Sequence, residues 1–107
     1  MPKYLLQFTY NDDVLAELIT NPQDRGEVVS ELFARLGGKV ESFYHSLGEY
    51  DLVIIAEFPD NETMATITNA VRAAGVEKDH KITILLTREE ALMALKRAGS
   101  TGYKPPS

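Results

Sequence analysis

Two β-rich segments, Lys39 to Leu47 and Tyr50 to Phe58, stand on either side of the dipeptide Gly48-Glu49, and this juxtaposition constrains the fold more than any other feature of the chain. A connection that short permits only an antiparallel hairpin, because parallel strands need a crossover of a dozen residues or more. Gly48 at the first loop position suits a type II′ turn, which requires a positive φ there.

The flanks of the hairpin alternate in the same way. Lys3 to Tyr10 (KYLLQFTY) reads as a first strand. Asn11 or Asp12 can cap a short helix with Val14, Leu15, Leu18 and Ile19 on one face, and Asn21-Pro22 breaks it. A longer helix is predicted from Asp24 to Leu36, with Val28, Val29, Leu32, Phe33 and Leu36 as its apolar stripe and Gly37-Gly38 as its end. Beyond the hairpin, Pro59 stops the strand and Asp60 or Asn61 caps a helix to Ala74, where Met64, Ile67, Val71 and Ala74 keep helical spacing and Gly75 follows. His80 to Leu86 is the fourth strand. Thr87-x-x-Glu90 is a capping box that opens a last helix through Ala98, closed by Gly99. Residues 1–99 thus form one domain, and 100–107 are a polar, proline-bearing tail.

This order predicts an α+β fold, the ferredoxin-like plait: βαββαβ with a four-stranded antiparallel sheet in the order 4-1-3-2. An extra short helix follows the first strand, and a further helix ends the chain. The hairpin register assigns every side chain to a face. Tyr4, Leu6, Phe8, Glu41, Phe43, His45, Leu52, Ile54, Ala56, Phe58, Ile82, Ile84 and Leu86 share the face that the helices cover. The other face holds Leu5, Gln7, Val40, Ser42, Tyr44, Val53, Ile55 and Leu85, together with Asp51 and Glu57. A sheet with one wet face alternates apolar-in and polar-out, and this one keeps too many apolar side chains outside. A homodimer stacked through Leu5, Gln7, Tyr44, Val53, Ile55 and Leu85 is the expectation, against a monomer whose last helix or tail folds over that face.

Composition removes several function classes. Eleven Lys and Arg against sixteen Asp and Glu leave a net charge of −5, which argues against a general nucleic-acid binder. With no Cys there is no disulfide, thiolate metal site or thiol catalysis. No run approaches the ~20 apolar residues of a membrane span. The start Met1-Pro2-Lys3-Tyr4 does not resemble a signal peptide, so a cytoplasmic location away from membranes is expected.

Chemistry-bearing residues are few. His45 and His80 fall on opposite sheet edges, three strand spacings or about 14 Å apart, and cannot share a metal within one subunit. His45 can work alone as an acid or base, with Tyr4 or Glu49 beside it. Ser46 faces Asp51 across the hairpin mouth, but His45 points to the other face, so these residues make a hydrogen bond and not a triad. Gly37-Gly38 follows a helix instead of opening one and is no phosphate loop. Tyr4, Tyr44, Tyr50 and Tyr103 could present phenols to a ligand, and Glu57 could pair with a cation across a dimer interface. Asn61-Glu62-Thr63 is read as a helix cap and not a glycosylation site. No motif asks for a cofactor or a metal.

LGGKVESFYHSLGEYDLVIIAEFPDNET (Leu36 to Thr63), opened by MPKYLLQFTY and followed by Tyr103-Lys104-Pro105-Pro106, resembles the GYD domain family. The turn that names that family stands here as Gly48, Tyr50 and Asp51: Gly48 for backbone geometry, Tyr50 for packing, Asp51 for hydrogen bonds to the turn. The resemblance covers essentially the whole chain. It implies a small, bacterial-type cytosolic protein of the dimeric α+β barrel superfamily, which includes cofactor-free oxygenases, haem enzymes, isomerases and ligand-sensing modules. The reading that follows is a homodimeric small-molecule-binding module, its ligand between sheet and helices near Tyr4, Phe8, Phe43, His45 and Phe58. A non-catalytic interaction or regulatory protein, and a cofactor-free acid–base enzyme or oxygenase, are the alternatives.

Overall fold

A computed structural model describes residues 1–106. The elements run β1 (Lys3–Tyr10), α1 (Asp12–Thr20), α2 (Arg25–Arg35), β2 (Lys39–His45), β3 (Leu52–Glu57), α3 (Asn61–Ala73), β4 (Glu77–Leu85) and α4 (Arg88–Ala98). The four strands form one antiparallel sheet in the order β2-β3-β1-β4, which read from the other edge is the predicted 4-1-3-2 plait.

Local chemistry explains the helix starts. Asp24 accepts the backbone N–H of Gly26 (3.0 Å), and Asp60 accepts that of Thr63 (2.8 Å), so each fills orphan donors in a first turn. Thr87 and Glu90 form the reciprocal capping box at α4. Asn11 stands at the N-cap of α1, but its side chain reaches instead to the carbonyl of Gly75. Gly37 takes the left-handed conformation that ends α2, with φ +80. Gly38 is needed for space: a Cβ there would lie 2.6 Å from two ring atoms of Phe58, so only glycine lets the chain pass the core.

That core lies between the sheet and helices α2 and α3. Tyr4, Leu6, Ile54, Phe58 and Ile67 are essentially closed to solvent, joined by Phe33, Ala56 and Met64. At roughly 1.5–3 kcal/mol per large apolar side chain, these residues carry most of the burial energy. Phe33 meets Phe58 edge-on at 4.8 Å, and Tyr4 tilts against Phe58 at 5.8 Å.

The structure differs from the sequence expectation in three places. The β2–β3 strands end at His45 and Leu52, earlier than expected, leaving a loop over residues 46–51. Gly48 is not in the positive-φ region, so no type II′ turn forms, although the register His45↔Leu52 is the one predicted. The hairpin mouth is closed by the Ser46 N–H on the Asp51 carbonyl (2.8 Å), and the Asp51 carboxylate turns to β1 instead of to Ser46. Second, Glu41 is an extra residue in β2, so Val40 pairs with Ala56 and joins the core side. Glu41 goes to the open face, where the Lys3 ammonium lies 2.8 Å from it and 3.8 Å from Glu57, so Glu57 finds its cation in its own chain. Third, β4 begins three residues early, at Glu77, through an irregularity in which Tyr10 pairs with Glu77 and Thr9 with Asp79, leaving Lys78 over.

The last helix does not fold over the open face. No residue of α4 is buried, and Leu92, Met93 and Leu95 are exposed. The radius of gyration is 17.3 Å with a long axis of 58 Å, against about 13 Å for a compact chain of this length.

Candidate functional site

A cavity of about 250 Å³ opens between the sheet and the helix pair α2–α3. It lies at the end of the sheet where β1, β3 and β4 present Phe8, Leu52 and Glu77. Its walls are apolar: Val28, Val29 and Leu32 from α2, Ile67, Ala70 and Val71 from α3, Phe8 and Ile54 from the sheet. Three polar residues, Tyr10, Arg25 and Glu77, also line it.

The irregularity in β4 places one of them. In an unbroken strand, Glu77 and His80 would point to opposite faces. The extra residue Lys78 turns both toward the helices: Glu77 sits opposite Tyr10, and His80 opposite Phe8. His80 Nδ1 then lies 2.8 Å from Glu77 Oε1, at ion-pair distance but without the alignment of a hydrogen bond.

Both carboxylate oxygens of Glu77 and the hydroxyl of Tyr10 are buried and have no hydrogen-bond partner. The Glu77 side chain is only 4% exposed. Burial pushes its carboxyl above the ordinary value, against the opposite pull of His80 and Arg72. Burial likewise raises the Tyr10 phenol, while the neighbouring Arg25 guanidinium draws it down. Buried polar groups left unpaired are rare in folded proteins and cost about 1–3 kcal/mol each. Here both belong to residues that line one cavity, so the arrangement offers a polar ligand a carboxyl, with an imidazole 2.8 Å from it, and a phenol.

The loop over residues 46–51 helps to fix Tyr10. The Asp51 carboxylate accepts the Tyr10 backbone N–H (2.9 Å), and the Asp51 N–H donates to the Phe8 carbonyl (2.8 Å). Asp51 of the Gly48-Tyr50-Asp51 turn is therefore tied to the strand that carries the cavity's phenol.

Among the residues expected to hold a ligand, Phe8 lines the cavity. Tyr4 and Phe58 fill the core, with the Tyr4 hydroxyl donating to Asn61 Oδ1. Phe43 packs at the sheet edge beside Gly26, and His45 is exposed, edge-on to Phe43 at 5.6 Å. Tyr10, Arg25, Glu77 and His80 were not singled out as a group by the sequence. A signal was present, since Tyr10 ends the core-facing row Tyr4, Leu6 and Phe8 of β1 and Glu77 follows Val76, but strand alternation separates Glu77 from His80. On the open face, Leu5, Gln7, Val53, Ile55 and Leu85 are half-buried, and Tyr44 is 67% exposed. No helix of the described residues is long and apolar enough to cross a membrane.

Comparison with known proteins places the chain. A protein of Thermus thermophilus named glutamine synthetase and cystathionine beta-lyase binding protein is 37% identical over 65 residues, which is 61% of this chain and 68% of that protein. No solved structure matches. The GYD domain model matches residues 4–95, almost the whole of the folded body from β1 into α4. The chain belongs to the GYD domain family.

Proposed function

We propose that the protein is a homodimeric binding module that works by docking on other proteins. The observation that carries this reading is apolar surface left outside the core. The open face keeps Leu5, Val53, Ile55 and Leu85 only half-covered, and α4 offers Leu92, Met93 and Leu95 with no contact that buries them. So much apolar surface is unusual on a small monomer and marks a contact site. The open face meets a second copy, because a symmetric sheet-to-sheet contact covers the same patch on both partners. The name of the Thermus thermophilus relative supports protein partners, and enzymes of the glutamine synthetase or cystathionine β-lyase type are the first to test.

Sedimentation and binding measurements test both halves. The wild-type chain is expected at twice 11.9 kDa at micromolar concentration, and Ile55→Lys at 11.9 kDa with unchanged circular dichroism. A purified enzyme of either type is expected to bind the wild-type dimer. A wild-type monomer overturns the dimer, and failure of both enzymes to bind overturns this choice of partner.

A second reading concerns the cavity, which supports a small-molecule ligand in each subunit. The Tyr10 hydroxyl and Glu77 carboxylate, buried without an aligned hydrogen bond, favour it, because both belong to residues lining a space that an apolar body would fill.

A further inference from the structure

We propose that the cavity between the sheet and α2–α3 binds a free α-amino acid with an aliphatic or aromatic side chain, its ammonium at Glu77 and Tyr10 and its carboxylate at Arg25. This inference rests on the reading of the cavity as a ligand site and is independent of dimerisation and of protein docking.

The donor and acceptor inventory selects the ligand. An ionised carboxylate only accepts hydrogen bonds, a guanidinium only donates, and a phenol does both. Neither oxygen of Glu77 has an aligned hydrogen bond, and with His80 Nδ1 2.8 Å from Oε1 it is Oε2 that has a place for a further cationic donor. Arg25 has no carboxylate within ion-pair distance among the described residues, and it lines the same cavity. Arg25 Nη1 donates to Gln23 Oε1 at 3.2 Å, and a simple amine would leave the guanidinium with that neutral acceptor and no anion. A simple carboxylic acid would leave Glu77 Oε2 unmatched and bring a second anion near it. A molecule with both charges on one carbon satisfies the two, and the Tyr10 hydroxyl beside them can accept from the ammonium.

Size and polarity select the rest. The walls are Val, Leu, Ile, Ala and Phe side chains. An engineered apolar cavity of about 150 Å³ holds benzene. A cavity of about 250 Å³ therefore has room for a branched-chain or phenyl side chain plus the head group. Glu77 also lines an outer depression, together with Arg72, Lys78, Asp79 and His80. Burial and Asp79 work against the ionised form of Glu77, His80 and Arg72 favour it, and a bound ammonium would add to their pull.

Calorimetric titration of the wild-type protein tests the assignment with leucine and phenylalanine as probes. 4-Methylpentanoate lacks the amine, isoamylamine lacks the carboxylate, and benzene reports the cavity alone. Leucine or phenylalanine is expected to bind at least about tenfold more tightly than either single-charge analogue, a difference of about 1.4 kcal/mol. Glu77→Gln is expected to weaken leucine about tenfold or more and leave 4-methylpentanoate unchanged or tighter. Arg25→Met is expected to weaken leucine while sparing isoamylamine. Thermal melts of the unliganded variants establish that each is folded. Should an analogue bind as tightly as the amino acids, or benzene alone bind, the zwitterion assignment falls and the ligand site stands. If none of the five probes binds at about 10 mM, both fall.

Discussion

Glu77→Gln is expected to make the protein more stable at neutral pH, although it alters a side chain that is only 4% exposed. The carboxylate has two buried oxygens without an aligned hydrogen bond, and burial raises its pKa. A carboxyl with a raised folded-state pKa costs nothing below its unfolded value, where both states are protonated. As pH rises from there through the folded-state value, the unfolded chain releases its proton first, and stability is lost. Above that window the full penalty is present. A buried unpaired polar group costs about 1–3 kcal/mol, and more when charged. His80 at 2.8 Å and the nearby Arg72 return part of this, and the Gln amide is itself polar, so a net gain of about 1 kcal/mol is expected. For a domain of this size that raises Tm by about 4–8 °C. Thermal melts of both proteins from about pH 4 to pH 8 should show curves that converge at the acid end and separate toward neutrality. A Gln variant less stable than wild type at neutral pH would refute the reasoning, because it would mean that His80 fully satisfies the carboxylate.

Other substitutions probe other contacts. Gly38→Ala drives a methyl group to within 2.6 Å of the buried Phe58 ring and should cost about 1–3 kcal/mol in chemical denaturation. Gly48→Ala meets nothing closer than the Ser46 hydroxyl at 3.6 Å and needs no positive φ, so its denaturation midpoint should stay close to that of wild type. Asp51→Ala removes the acceptor for the Tyr10 N–H and should cost about 2 kcal/mol, with faster amide exchange at Tyr10.

Much of the fold was legible because the local signals agree. The Lys3–Tyr10 strand, the Asp60 cap with Met64 and Ile67 behind it, and the Thr87–Glu90 capping box each use short-range chemistry that a sequence displays directly. The hairpin register was legible too, although its turn was not: the loop is held by backbone bonds to β1 instead of by a positive φ at Gly48. The polar end of the cavity was hidden by one residue. Strand alternation assumes an unbroken ladder, and the extra Lys78 reverses the face of Glu77 relative to His80. The same arithmetic misplaced Glu41 and Val40. A bulge is decided by pairing with the neighbouring strand, which periodicity along a single segment does not contain.

The two irregularities also fall where a sheet is most vulnerable. Glu41 is the surplus residue of β2 and Lys78 that of β4, and these are the two outermost strands. An outer strand offers a row of free amides and carbonyls that invites another chain to continue the ladder, and a kink bearing a charge spoils that template. Lateral growth into an endless ribbon is thereby disfavoured on both flanks by a single inserted residue each. The same two insertions that re-aim side chains therefore also make both flanks of the sheet poor places for another chain to add a strand.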